Sequence, residues 1–230
     1  MIQTAKKILI LTLLSTFVVL FATRSNSTPI GVPTTSEHQW AVGGVLTVER
    51  HDVKSPETTR TGELRSQRFL TDVSYGISHR WEGYARMGAS KDEFVQINND
   101  IFDYKTKIDL GLGIRGVMYD SYQGWKIITM AQYSFRPNRT FNNTGIDIKE
   151  WIGAGTVQFY GRDLQPYIGV SYKRLDIGTN NLGNVVTSTS ENKLGAHIGI
   201  AIDPSDRWKG FGELQLLNGV GLSGGVSYKL

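Results

Sequence analysis

From Trp40 to its last residue the chain alternates between apolar and polar residues with a period of two, and no amphipathic helix interrupts the pattern. A period of two is the mark of a strand with unlike faces, whereas a helix repeats near 3.6. Trp40, Val42, Gly44, Leu46 and Val48 share one parity of the first segment. The next sets Phe69, Thr71, Val73 and Tyr75 against Asp72 and Ser74, and the third sets Trp81, Ala85 and Met87 against Glu82, Tyr84 and Arg86. In the fourth, Ile108, Leu110, Leu112 and Ile114 oppose Lys107, Asp109 and Arg115; in the fifth, Trp125, Ile127, Tyr133 and Phe135 oppose Lys126, Gln132 and Arg136. The sixth sets Trp151, Val157 and Phe159 against Glu150 and Gln158, with Ile152 and Ala154 breaking the rule. The seventh sets Ile168, Val170 and Tyr172 against Tyr167 and Lys173, the eighth Leu194, Ile198 and Ile200 against Gly195 and His197, and the ninth Trp208, Leu214 and Leu216 against Lys209, Glu213 and Gln215. The tenth, GLSGGVSYKL, ends the sequence on the apolar parity.

Ten strands joined by alternating short and long connections predict an antiparallel up-and-down sheet with one plain rim and one elaborated rim. The short links fall near 78–80, 120–124, 161–164 and 203–207, and the long polar ones at 51–63, 90–106, 137–147 and 175–192; the last link, near 218–221, is tight and departs from the alternation. Alternation alone allows either a water-soluble sheet with an apolar core face or a transmembrane barrel with an apolar lipid face. The tryptophans separate the two. Trp40, Trp81, Trp125 and Trp208 all begin segments that run in the same direction, on the apolar parity, which places four indoles at one height. That is half of an interfacial aromatic girdle, with Trp151 a candidate for the opposite rim. The expected fold is therefore all-β, an antiparallel up-and-down transmembrane β-barrel of ten strands, with eight the alternative count. Only such a closed sheet satisfies strand backbone groups in lipid.

The front of the chain fits this reading. Lys6 and Lys7 precede a 14-residue apolar run, Ile8 to Phe21, and Ser25 and Ser27 offer a small-x-small cleavage pattern. This reads as a secretory signal peptide over residues 1–27, too short to span a membrane comfortably. A polar Pro/Gly/Thr-rich segment over 28–37 is expected to be flexible, leaving 38–230 as the barrel domain. Of the 25 basic residues, Lys6, Lys7 and Arg24 lie in the leader, which leaves 22 against 21 acidic ones. The mature chain is thus nearly neutral and its basic residues are scattered, so no nucleic-acid partner is expected. Cysteine is absent, which excludes disulfides and thiolate metal sites.

The secretory leader, the segments YGISHRWEGYARMG and QPYIGVSYKR and the ending GVSYKL together resemble the small outer-membrane β-barrel proteins of Gram-negative bacteria. The resemblance covers roughly residues 38–230. It implies a place in the cell outer membrane, contact with outer-membrane lipid, and handling by periplasmic chaperones and the barrel assembly machinery. In that family the machinery reads a last strand whose hydrophobic residues alternate back from a terminal aromatic. Val226, Tyr228 and Leu230 match those positions as an assembly signal, with Leu230 replacing the preferred phenylalanine. The same scaffold serves many activities, so the resemblance does not assign one.

The polar parity would point inward. It carries Asp72, Glu82, Arg86, Lys107, Asp109, Arg115, Lys126, Arg136, Glu150, Lys173, His197 and Glu213, of both signs. In a narrow barrel these charges must pair or incur a large desolvation cost. A hydrated ion-pair network is expected, and a narrow passive channel for ions or small polar solutes is the alternative. Outer-membrane proteases of ten strands use aspartate–histidine pairs near the outer rim, and His51–Asp52 is the candidate for such a pair here. No serine-nucleophile motif, metal cluster or phosphate loop is present. The reading is therefore a monomeric, non-enzymatic barrel without cofactor, whose polar outer loops serve a structural or surface-interaction role toward a ligand not specified by the sequence.

Overall fold

The computed structural model describes residues 36–54, 61–96, 101–121, 124–141, 144–161, 164–181, 184–190, 193–216 and 219–230; the expected leader lies outside them. Eleven strands form one antiparallel sheet: β1 Trp40–Lys54, β2 Thr61–Gly76, β3 Trp81–Gln96, β4 Ile101–Asp120, β5 Trp125–Phe141, β6 Thr144–Phe159, β7 Leu164–Asn181, β8 Asn184–Ser190, β9 Leu194–Ile202, β10 Trp208–Leu216 and β11 Val220–Lys229. Ten of them, all except β8, close a ring in chain order. The seam joins β11 to β1 from Ala41↔Lys229 to Arg50↔Val220. Closure leaves the ring no unpaired edge.

The outward parity makes a lipid-compatible band. Ile108, Leu110, Leu112, Ile114 and Met118 of β4 are all exposed, as are Phe69, Met87, Ile168, Val170 and Ile198 around the ring. Ten residue steps from Ile108 to Met118 correspond to about 33 Å of strand, or about 25 Å along the axis at a tilt near 40°. Aromatic pairs mark the turn end: Trp40 stacks on Tyr75 at 4.8 Å between centroids, Trp208 on Tyr228 at 4.9 Å, and Trp125 on Tyr119 at 5.2 Å. Trp81 lies across Gly116, where an added Cβ would meet its ring at 2.5 Å. At the upper rim Trp151 stacks on Tyr133 at 4.5 Å. In the last strand Val226 and Leu230 are exposed, whereas Leu222, flanked in register by Val48 and Leu214, is buried.

The long links of the sequence reading are corrected. Most of residues 51–63, 90–106, 137–147 and 175–192 are strand, not loop. The alternation continues there with its polarity reversed. In the membrane band the outer face is apolar and the inner face polar. Above it, the inner positions are Val53, Leu64, Ile148, Leu175 and Ile177, all buried in one cluster. The outer positions there are Arg50, Asp52, Lys54, Arg65, Asp147, Lys149 and Arg174, all exposed. Such an exchange of faces is the pattern expected of a strand whose surroundings change from hydrocarbon to solvent.

This upper section is narrower than the ring beneath it. β8 pairs with β7 from Asp176↔Thr189 to Asn181↔Asn184, and with β1 at Val53↔Ser190 and Lys54↔Thr189. Here β8 takes the place of β9, β10 and β11 between β7 and β1, so a collar of eight strands, unpaired between β4 and β5 above Leu110↔Phe135, stands on a ring of ten. At the opposite end the turn Ser36–Gln39 docks on Gly76: the His38 and Gly76 amides donate to Gly76 and Gln39 carbonyls, both at 2.9 Å. A Cβ on Gly76 would lie 1.9 Å from the Ser36 carbonyl oxygen, so only glycine fits. Ser36 and Glu37, expected in the flexible segment, thus belong to the folded unit.

Candidate functional site: the barrel interior

The inward parity of the ring delivers its side chains into a narrow lumen, and they fill it in tiers. Nearest the turns, Glu82 pairs with Arg115. The Tyr84 ring has the Arg115 guanidinium 4.9 Å and the Arg86 guanidinium 5.0 Å from its centroid. Arg86 grips Asp72 bidentately, with both bonds at 2.8 Å, and donates to Gln132 Oε1 at 2.6 Å. Across the lumen the Tyr167 hydroxyl donates to Glu213 at 3.0 Å. Two apolar patches complete this tier: Ile128 with Tyr167 and Ala201, and Met130 with Ile152. The inward Ile152 explains why the alternation weakens in the sixth segment.

Cross-strand glycines make room for the tyrosines. Tyr84 faces Gly113 in register and Tyr167 faces Gly199. A Cβ on Gly113 would lie 2.3 Å from Tyr84 Cζ, and one on Gly199 2.2 Å from Tyr167 Cζ. Gly169 accommodates the ring of His197 in the same manner, and His197 Nε2 lies 2.8 Å from the Thr156 hydroxyl.

The middle tier is ionic. Arg68 Nε donates to Asp109 at 2.7 Å and its Nη1 to Glu49 at 2.9 Å and Glu150 at 3.3 Å. Arg136 reaches Asp92 at 3.0 Å, Glu150 at 2.9 Å and Glu49 at 3.2 Å. Lys173 Nζ donates to Glu49 at 2.6 Å and approaches His51 Nε2 at 2.9 Å. Four acidic and three basic side chains, with His51 beside them, are nearly all solvent-inaccessible. Arg68, Arg136, Lys173, Glu49 and Glu150 each have two or more partners, the condition under which buried ions are tolerated. Above this tier lies the apolar cluster of the collar, Val53, Leu64, Ile148, Leu175 and Ile177.

Most residues expected on the inner face therefore meet one another: Asp72, Glu82, Arg86, Asp109, Arg115, Arg136, Glu150, Lys173, His197 and Glu213 are buried in the lumen. Two are not. Lys107 is exposed beside the bulge that shifts the β3–β4 register between Ser90 and Asp92. Lys126 is half-buried at the turn end, with its ammonium 5.3 Å from the centroid of the Tyr160 ring. Glu49 and Arg68, central to the ionic tier, sit on the same polar parity, and extending that parity by one residue finds them. Asp92 lies in a stretch that read as loop. His51 and Asp52 do not form a pair: neighbours in a strand face opposite sides, so His51 is buried in the lumen while Asp52 is exposed outside. Among the described residues no group of three or more His, Asp or Glu is arranged to hold a metal ion. A cavity of about 20 Å³ at the turn end, bounded by Asp72, Ser74, Arg115 and Lys209, has room for about one water.

No protein-family profile matches the chain and no curated protein matches it. Solved structures do. An outer-membrane channel from Pseudomonas putida F1 superposes with a TM-score of 0.53 at 7% identity, over 89% of this chain and 100% of that one. The transport unit of the autotransporter AIDA-I from Escherichia coli gives 0.49 at 10% identity, over 90% and 95%. The translocator domain of the autotransporter NalP from Neisseria meningitidis gives 0.46 at 13%, over 83% and 88%. At these identities the likeness concerns the fold alone: a closed antiparallel barrel of the outer-membrane structural class.

Proposed function

We propose that the protein is a non-conducting, non-enzymatic barrel of the bacterial outer membrane, which raises a rigid collar above the lipid and presents the connections at its upper rim to the cell's surroundings. The observation that carries this reading is the filling of the lumen over its full height. Tyrosines and charge pairs occupy the lower half, a desolvated ionic tier crosses the middle, and apolar side chains of β1, β2, β6 and β7 pack together inside the collar. An ion crossing it would have to shed its hydration between closely packed opposite charges and then pass an apolar cluster, and both steps oppose flux. The outward apolar band and its aromatic rims support membrane insertion, and the basic, apolar start of the chain supports export through a cleaved leader.

Two measurements test the proposal. After membrane fractionation the protein should enter the outer membrane and migrate differently on gels with and without boiling; a soluble fraction with uniform mobility would refute the location. Purified protein in planar bilayers should give no conductance steps above background. Reproducible steps would instead establish the passive-channel alternative.

A further inference from the structure

We propose that His51 is a proton-operated latch on the collar: protonation of its imidazole frees Lys173 from β1 and loosens the wall where β8 closes it. The latch is built around one buried atom. His51 Nε2 lies 2.9 Å from Lys173 Nζ and 3.1 Å from Glu49 Oε2. An ammonium only donates and a carboxylate only accepts, so the two neighbours ask opposite things of that nitrogen. Without a hydrogen, Nε2 accepts from Lys173, and the same ammonium donates to Glu49 Oε2 at 2.6 Å. With a hydrogen on both ring nitrogens, Nε2 donates to Glu49 and meets Lys173 as a second cation, a contact that two buried like charges disfavour. A second acceptor for Lys173 is at hand, since Glu150 Oε2 is 3.4 Å from its ammonium.

The position of these residues turns a change of partner into a change of closure. In the ring β1 and β7 are separated by β9, β10 and β11, and in the collar only β8 stands between them. β8 faces β7 over six register pairs but β1 over two, Val53↔Ser190 and Lys54↔Thr189. Lys173 ties β7 to Glu49 and His51 of β1 just beneath that weak join. Glu150 lies on β6, which already flanks β7 in register. A move to Glu150 therefore leaves β1 and β7 held together by β8 and by the packing of Val53 on the apolar cluster. Of the other ionisable groups around the latch, Arg68 of β2 and Arg136 of β5 occupy Glu49 Oε1. Asp92 of β3 and Asp109 of β4 are held by those arginines. His197 of β9 and Glu213 of β10 bond Thr156 and Tyr167 in the tier below. β8 has no ionisable residue, and those of β11, Tyr228 and Lys229, lie at the turn end. Imidazole is the side chain among these whose charge changes on mild acidification.

The test reads the distance between β1 and β7. The sequence has no cysteine, so spin labels can be placed on Asp52→Cys and Arg174→Cys, both exposed on the outer face, in the full mature chain folded in neutral detergent. Pulsed dipolar spectroscopy should give one narrow distance at about pH 8 and an added longer component at about pH 5, the interval in which imidazole changes charge. In this labelled background His51→Gln should keep the narrow distance at both pH values, and His197→Gln should respond as the parent does. Lys173→Gln, which removes the tie, should show the longer component at both. Heat-modifiable mobility confirms the fold of each variant at each pH. A parent distance that does not change with pH would overturn the proposal. So would a response that survives in His51→Gln or disappears in His197→Gln, or a Lys173→Gln variant that stays narrow. The outcome depends on the fold alone, so it stays separate from the fractionation and conductance results that test location and closure to ions.

Discussion

Tyr84 over Gly113 and Tyr167 over Gly199 show how single residues decide whether the lumen is full. Gly113→Val would place side-chain atoms where the Tyr84 ring lies, so the ring must leave its site between Arg86 and Arg115. Such overpacking costs about 1–3 kcal/mol. The expected outcome is a lower unfolding midpoint in detergent, partly restored in Tyr84→Ala/Gly113→Val. Gly44→Ala, with nothing within 4 Å of the added Cβ, should leave the midpoint unchanged. In the ionic tier, Arg68→Met removes a partner of Asp109, Glu49 and Glu150 at once. Leaving buried carboxylates short of a cation should destabilise by roughly 3–5 kcal/mol, measurable as a shift in the urea midpoint, and the shift should shrink when Glu150→Gln is added. These contacts were legible in part. The tyrosines, glycines and most of the charges all sit on the inward parity of the sequence. Which glycine faces which tyrosine depends on strand register, and a period of two does not encode register.

At the level of the strand, the collar was the part hidden from the sequence. Following one apolar parity finds β1 as far as Val48 and loses it at Arg50, because Val53 continues the strand with its apolar residue on the other face. Leu64, Ile148 and Leu175 mark the same reversal on β2, β6 and β7. The reversal itself is readable: a strand that changes its apolar parity without a turn residue is crossing from one solvent to another. What could not be read is β8, whose role depends on reaching β1 across more than a hundred residues of chain. Deleting Asn184–Ser190 should leave the ring of ten able to insert, with its heat-modifiable mobility retained. It should also open the collar, so that limited trypsin digestion cuts near Arg50, Arg65 and Arg174, sites protected in the intact protein.

If the barrel is non-conducting as proposed, sealing is shared between two materials, and they should fail independently. Leu175→Ser/Ile177→Ser loosens the apolar stopper but leaves the ionic tier in place; bilayer conductance should stay at background. Adding Lys173→Ala and Arg136→Ala to that variant should produce steps, whereas steps from the collar variant alone would show that the ionic tier does not seal. The step from ten strands to eight has a consequence for how the chain is built. β1, like β7, has three neighbours: β2 along one edge, and β11 and β8 dividing the other between them. It is the first strand to be synthesised, yet one of those two tenants arrives about 130 residues later and the other about 170 residues later. Until both are delivered, one flank of β1 is an open invitation to any passing strand. That flank of β1 is therefore the edge most at risk of mispairing during folding, and it is satisfied only when β8 and β11 have both joined it.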